Sequence, residues 1–322
     1  MTYKDRQKEI QKSYFKNHKL GGKYGSRHYD HILVNEKENF INQEVHENAE
    51  KYFNDNGISW HRSKMPTGNT LSSQIACINH LFPIRNDKDA VLALIKSIDP
   101  EFEDVEILKN DKQEWRGFIS FEVVSKKGHL NEKSNTRGSN CTSLDAVILA
   151  KKKGKSVLVS IEWKYTEVYN NVNQAKNPKG KNCGTVRLNS YCGSNNVDNP
   201  NLIQNSSQLK PCQNYEESVY FFEPFYQLMR QTLWAEQMVN FKDEEVIKAD
   251  DYIHIHVVPK GNKELLYKKY SCSEGKDMLT TWKSQLKDPR KYVLIDPAEF
   301  FSKLSCEKWK DLICYLEARY WQ

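Results

Sequence analysis

Two segments decide the fold: Leu144-Asp145-Ala146-Val147-Ile148 and Ile161-Glu162-Trp163-Lys164-Tyr165-Thr166-Glu167. A lone acid leads an apolar run, Lys151-Lys152-Lys153-Gly154-Lys155 reverses the chain, and a second apolar run ends in Glu-x-Lys. Val147, Ile148 and Leu149, then Val157, Leu158, Val159 and Ile161, predict two strands of a hairpin. Side chains alternate along a strand, so Glu162 and Lys164 share a face. With the turn at 152–155, Lys151 faces Ser156, and the same count sets Asp145 opposite Glu162. Directly opposed residues lie about 4.5–5.5 Å apart at Cβ. A slip of one residue would carry Asp145 to the other face. Two carboxylates that close repel each other unless a cation lies between them. A hard, oxygen-seeking ion such as Mg²⁺ meets that need.

The same triplet can also be a solvated strand edge or a plain salt bridge. Its flanks argue otherwise. Ile161 and Trp163 imply burial of one face, and Val157-Leu158-Val159 predicts a central strand covered on both sides. An unpaired charge is costly in such a place.

The pattern resembles the PD-(D/E)xK nuclease superfamily, which has the restriction-endonuclease-like fold. Asp145, Glu162 and Lys164 carry the match, with Ser143-Leu144-Asp145 where the first motif usually has Pro-Asp. Leu71-Ser72-Ser73-Gln74, the Glu162 segment and Pro224-Phe225-Tyr226-Gln227-Leu228-Met229-Arg230-Gln231 are together similar to a bacterial group of restriction-endonuclease-like proteins, over roughly residues 60–300. The resemblance implies an α/β core with a central mixed sheet flanked by helices, an N-terminal helical extension and a C-terminal α/β extension. It further implies metal-dependent hydrolysis of phosphodiester bonds, in DNA first, for restriction or for genome defence and repair. Mg²⁺ is the implied cofactor, with Mn²⁺ as substitute. Nucleic acid is the implied partner, and a homodimer is compatible. In these terms Asp145, Glu162 and the Trp163 carbonyl hold the metal, and Lys164 orients water and stabilises negative charge. Some superfamily members add an acid from an early helix, and among Glu44, Glu47 and Glu50 the choice is Glu47. Ser73 and Gln74 line the site. Gln227 and Gln231, four apart on one helix face, match the Gln that several branches place after the Glu-x-Lys strand. Two rival readings are a catalytically silent nucleic-acid-binding protein of this fold and an interaction protein whose triplet is a salt bridge.

Composition sets wider bounds. The 322 residues carry 48 Lys+Arg against 42 Asp+Glu, a net charge of +6 that is too mild to imply nucleic acid by itself. Distribution says more. Lys176, Lys179, Lys181 and Arg187 fall in a stretch without acids and form a candidate phosphate track. Residues 1–36 are rich in Lys and read as a polar, irregular arm, with 37–322 as a single nuclease-like domain. No apolar h-region follows Met1-Thr2-Tyr3-Lys4-Asp5, and no apolar run nears the roughly 20 residues of a membrane span. The expectation is a cytoplasmic protein with no membrane partner. The eight Cys are scattered without a Cys-x-x-Cys and read as reduced thiols. Cys183, Cys192 and Cys212 lack the spacing of a common zinc module.

Helices are predicted over 37–56, from Leu71 to Leu81 with Asn69-Thr70 as cap, after Asp87, over 217–240 with Pro224 in the first turn, and over 307–319. Strands are predicted at Val105–Leu108, Trp115–Val124, 252–258 and Lys291–Ile295. His254 and His256 share one face of the third of these and read as a half-polar sheet surface. Residues 170–215, rich in Asn, Gly, Ser and Lys, read as one long irregular insertion, functional or disordered.

Overall fold

The computed structural model describes residues 1–60, 65–110, 112, 114–132, 141–176, 184–193 and 200–322. Its centre is a six-stranded sheet. In chain order the strands are β1 (Phe102–Glu106), β2 (Ser120–Val123), β3 (Leu144–Lys152), β4 (Lys155–Trp163), β5 (Asp251–Val257) and β6 (Tyr292–Ile295). The spatial order is β6-β5-β4-β3-β1, and β2 pairs with β3 on the edge it shares with β1. β3 and β4 are antiparallel, whereas β4–β5 and β5–β6 are parallel, so the sheet is mixed. Lys151 pairs with Ser156 and Ala146 with Ile161, the register expected of the hairpin.

The labelled helices are α1 (Tyr3–Tyr14), α2 (Gln43–Asp55), α3 (Ser73–Leu81), α4 (Lys88–Lys96), α5 (Gly184–Cys192), α6 (Phe225–Asn240) and α7 (Lys310–Arg319). Alternation splits the core in two. Ala146, Ile148, Val159, Ile161, Trp163 and Ile255 pack under residues of α2, α3, α4 and α7. Val147, Leu149, Leu158 and Tyr252 face α6 through Leu228, Met229 and Leu233. β4 is therefore covered on both sides, as its unbroken apolar run predicts. The architecture is the restriction-endonuclease-like one expected: a central mixed sheet flanked by helices.

Several elements differ from the sequence reading. The first 36 residues contain α1, whose Tyr3, Gln7 and Gln11 are buried. Gln11 Nε2 donates to Tyr165 Oη at 2.9 Å and to the Arg319 carbonyl at 2.8 Å, and Tyr165 Oη donates to Gln7 at 2.7 Å. The stripe that anchors this helix is amide, not aliphatic, so hydropathy does not reveal it. The helix read over 37–56 begins at Gln43, after a 3₁₀ turn at Glu36–Asn39, because the Asn42 side chain caps the Val45 amide. Ser72, not Asn69 or Thr70, caps α3; Asn69 instead turns the chain by accepting from the Leu71 amide. Trp115–Val124 is not one strand. Gly117 sits at φ +94° with Asn86 Oδ1 only 2.7 Å from where a Cβ would be, so the chain bends there, and only Ser120–Val123 joins the main sheet. Pro224 precedes α6 and does not lie within its first turn.

The 170–215 stretch is not uniformly irregular. It holds α5 and a short helix at Leu202–Asn205, and Tyr191, Leu202, Ile203 and Leu209 are buried in the α6-side core. Lys179, Lys181 and Cys183 lie outside the described residues.

Candidate active site

The site forms where β3 begins and β4 ends. Ala146 pairs with Ile161, so the next step outward sets Asp145 beside Glu162. Asp145 accepts a hydrogen bond from the Trp163 backbone N–H at 2.8 Å. Trp163 itself turns its ring to the opposite face, against His80 at 4.6 Å between ring centroids. Glu162 is 2% exposed and Lys164 6% exposed. A buried carboxylate needs partners, and Glu162 has three. Lys164 Nζ and Gln227 Nε2 both donate to its Oε1, the latter at 2.7 Å, and Gln231 Nε2 donates to Oε2. The Gln227 carbonyl oxygen in turn accepts from Lys164 Nζ at 2.7 Å. Both glutamines project from the first turns of α6, four residues apart, and close over the β4 strand end.

Electrostatics follow from this crowding. Burial, then the neighbouring charges of Glu162 and Glu122, push the Asp145 carboxyl well above its ordinary range, against the lowering effects of Lys164 and the Trp163 amide. Burial works against the Lys164 ammonium, but Glu162, Tyr169, Glu167 and Asp145 outweigh it and hold the pKa well above the usual lysine value. Lys164 is a fixed cation.

Two further acids reach this place. Ser120 pairs with Val147 and Phe121 with Ala146, so Glu122 comes alongside Asp145 from β2. Its backbone is left-handed, φ 50°, an unfavourable state for a non-glycine residue. Gln74, on α3, donates to Glu122 at 2.7 Å. Glu223, just before α6, has Oε2 sealed from solvent without a partner among the described residues. Burial raises its carboxyl, opposed by Lys164 and Arg230. Sequence alone hides both. Glu122 reads as the outward position of an alternating strand, and only the β2–β3 register places it. Nothing in the sequence around Glu223 marks it.

The other sequence candidates are spread out. Ser73 opens α3, half-buried. Glu47 is exposed on α2 and accepts a hydrogen bond from Gln43, and no contact among the described residues joins it to Asp145 or Glu162. The expectation for Glu47 rests on the resemblance, which supplies an early-helix acid without saying which helix face meets the sheet. Lys176 is paired with Glu217, an acid from beyond the stretch, and Arg187 donates to the Gln174 side chain at 2.7 Å. Arg187 also lies 6.0 Å from the centroid of Tyr226, next to Gln227, so this flank of the insertion does border the α6 end of the site. His254 and His256 are buried, not half-polar surface, and His256 Nδ1 lies 2.8 Å from Tyr292 Oη.

The donor set suits a hard divalent cation in part. Among the described residues no three His, Cys, Asp or Glu side chains converge into a metal cage. Mg²⁺ does not require one: it commonly takes one or two carboxylates and fills the rest with water and substrate phosphate. Asp145 and Glu162 are two such carboxylates, and the repulsion from Glu162 and Glu122, which adds to burial in raising Asp145, is what a cation would relieve.

No curated protein and no solved structure matches this chain. One family model does, over residues 8–321, and its description is Restriction Endonuclease associating with ARP. With nearly the whole length matched, the chain belongs to that restriction-endonuclease family.

Proposed function

We propose that this protein is a divalent-metal-dependent phosphodiesterase that cuts DNA, with Asp145 and Glu162 as metal ligands, helped by the Trp163 carbonyl, and Lys164 as the cation at the reacting phosphate. One observation carries the reading: Asp145, Glu162 and Lys164 meet at a single strand end, with Glu162 and Lys164 both fixed by Gln227. Membership of a restriction-endonuclease family supports a nuclease-like role. Mg²⁺, when bound, would polarise the phosphate and lower the pKa of its water.

The chain's own groups do the rest. Lys164 stays protonated and is held rigid by Glu162 and Gln227, so its charge is already oriented toward negative charge that develops on the phosphate. Gln231 and Gln227 keep the Glu162 carboxylate from rotating. The Trp163 amide holds Asp145 in place across the hairpin. The fit of these roles to hydrolysis favours catalysis over the silent and structural alternatives, because a salt bridge alone needs neither Asp145 nor two glutamine clamps. Incubation of supercoiled plasmid with the protein and Mg²⁺ or Mn²⁺ tests the proposal. Nicking or linearisation that EDTA and Glu162→Gln both abolish is expected. Binding without cleavage would leave the silent reading, and neither binding nor cleavage the structural one.

A further inference from the structure

The edge of the sheet next to the candidate site is cationic. Two adjoining cavities, of about 370 and 590 Å³, share Asp55, Asn56, Asn110 and Lys112 in their walls. Lys109, Arg116 and Lys126 complete the cationic lining of the first, Lys51 and Arg85 that of the second. The acids in these walls are already engaged. Asp55 pairs with Lys51 at 2.7 Å, and Glu114 accepts from Asn110 at 2.7 Å. Glu245 accepts from Ser125 Oγ at 2.6 Å and from the Lys126 amide at 2.8 Å. Lys109, Lys112 and Arg116 form no ion pair among the described residues, and Arg116 Nε is sealed from solvent without a hydrogen-bond partner.

The contrast with other lysine groups is instructive. At the opposite end of the hairpin, Lys151 pairs with Glu106 at 2.7 Å, Lys153 with Glu101 at 2.6 Å, and Lys152 with Asp99. Lys176 is likewise neutralised by Glu217. Among the described residues, Lys109, Lys112 and Arg116 have no such partner.

Its position is equally specific. Val123, in the cleft wall, pairs with Leu144, the residue before Asp145. Duplex DNA carries about one charge per 1.7 Å of helix axis. A duplex that presents one phosphate to Asp145 must therefore bring others along the neighbouring edge. We infer that this cleft is the seat of the DNA backbone flanking the cut phosphate, with Lys109, Lys112 and Arg116 as its phosphate contacts. The inference rests on the nuclease reading for its substrate class, but its test does not need cleavage.

The test is fluorescence anisotropy with a short labelled duplex of mixed sequence, without divalent metal, over a series of salt concentrations. Wild type is compared with Lys109→Ala/Lys112→Ala/Arg116→Ala. Each lost phosphate contact should flatten the log–log salt slope by about 0.9, with weaker binding to every sequence alike. Arg116 is partly buried, so the double variant Lys109→Ala/Lys112→Ala, both exposed, is measured beside it and should show about two thirds of the change on the same basis. Unchanged affinity and slope in the double and triple variants would overturn the cleft. So would wild type that binds no duplex at any salt. A wild type that binds through the cleft but cuts nothing would refute the proposed activity and leave the cleft standing. A wild type that cuts, with slopes untouched by both variants, would do the reverse.

Discussion

Gln227 joins both halves of the Glu-x-Lys motif: its amide N–H donates to Glu162 at 2.7 Å and its carbonyl oxygen accepts from Lys164 at 2.7 Å. One side chain from α6 thus fixes the relative orientation of two residues on β4. Gln227→Ala should leave the fold intact, because Gln227 is only half-buried. It should lower kcat or metal affinity by about 10- to 100-fold, the usual cost of losing a group that orients a ligand. Steady-state cleavage and titration calorimetry read the two effects. Full activity in Gln227→Ala would show the bridge to be packing only.

Asp145→Asn and Glu162→Gln should each abolish metal-dependent cleavage while retaining duplex binding. The conservative forms matter at Glu162. Glu162→Ala would strand the buried Lys164 ammonium beside an empty space, and breaking a buried pair in this way costs about 3–5 kcal/mol. Both variants remove the counter-charge of Lys164, but Glu162→Gln keeps the volume and one acceptor oxygen. In parallel thermal unfolding Glu162→Ala should therefore melt below Glu162→Gln, and both below wild type. Equal stability of the two would mean that the Lys164–Glu162 pair is not sealed from water.

Lys164→Ala should lose turnover and keep metal binding, since the ammonium acts on water and phosphate and not on the ion. Calorimetric titration with Mn²⁺ is the decisive readout. Loss of metal affinity with the fold preserved would recast Lys164 as a structural partner of the carboxylates.

The parts of this fold that are legible in the sequence are those dictated by aliphatic alternation. The hairpin register follows from one turn position and period-two counting, so Lys151–Ser156 fixed everything out to Glu162. What polar residues build is not legible in that way. Gln7 and Gln11 anchor α1 through hydrogen bonds to Tyr165 and Arg319, partners more than 150 positions away. Arg319 is fully buried and donates to Gln11 Oε1 at 2.9 Å and to the Asn39 carbonyl at 2.7 Å, which no hydropathy pattern can announce. The site shows the same division. Glu162 and Lys164 share a face by strand alternation, and the two glutamines are picked out by the resemblance to nuclease branches that place a Gln after the Glu-x-Lys strand. Glu122 needs the pairing of β2 with β3, and Glu223 needs the fold of the segment ahead of α6 onto β4.

His254 is buried on β5 with neither ring nitrogen hydrogen-bonded among the described residues. Burial lowers its pKa from 6.5 to about 3. His80 is lowered to about 3 by the same cause, its Nδ1 lying 2.7 Å from the Ala76 carbonyl and its Nε2 accepting from Trp321 at 3.0 Å. The unfolded chain takes up a proton on each imidazole as pH falls below 6.5, whereas the folded protein resists until about 3. The unfolded state therefore binds more protons throughout that window, and stability falls as pH falls across it. His254→Leu removes one such group together with two unpaired buried nitrogens. Leaving a buried polar group unpaired costs about 1–3 kcal/mol, so the variant should be at least as stable as wild type near neutral pH. Its melting temperature should also decline less steeply on acidification. Calorimetric melting curves between neutral pH and pH 4 check both points. A variant that loses stability at neutral pH, and declines as steeply as wild type, would mean that His254 is hydrogen-bonded in solution, and its imidazole would then belong to a polar network beneath α6.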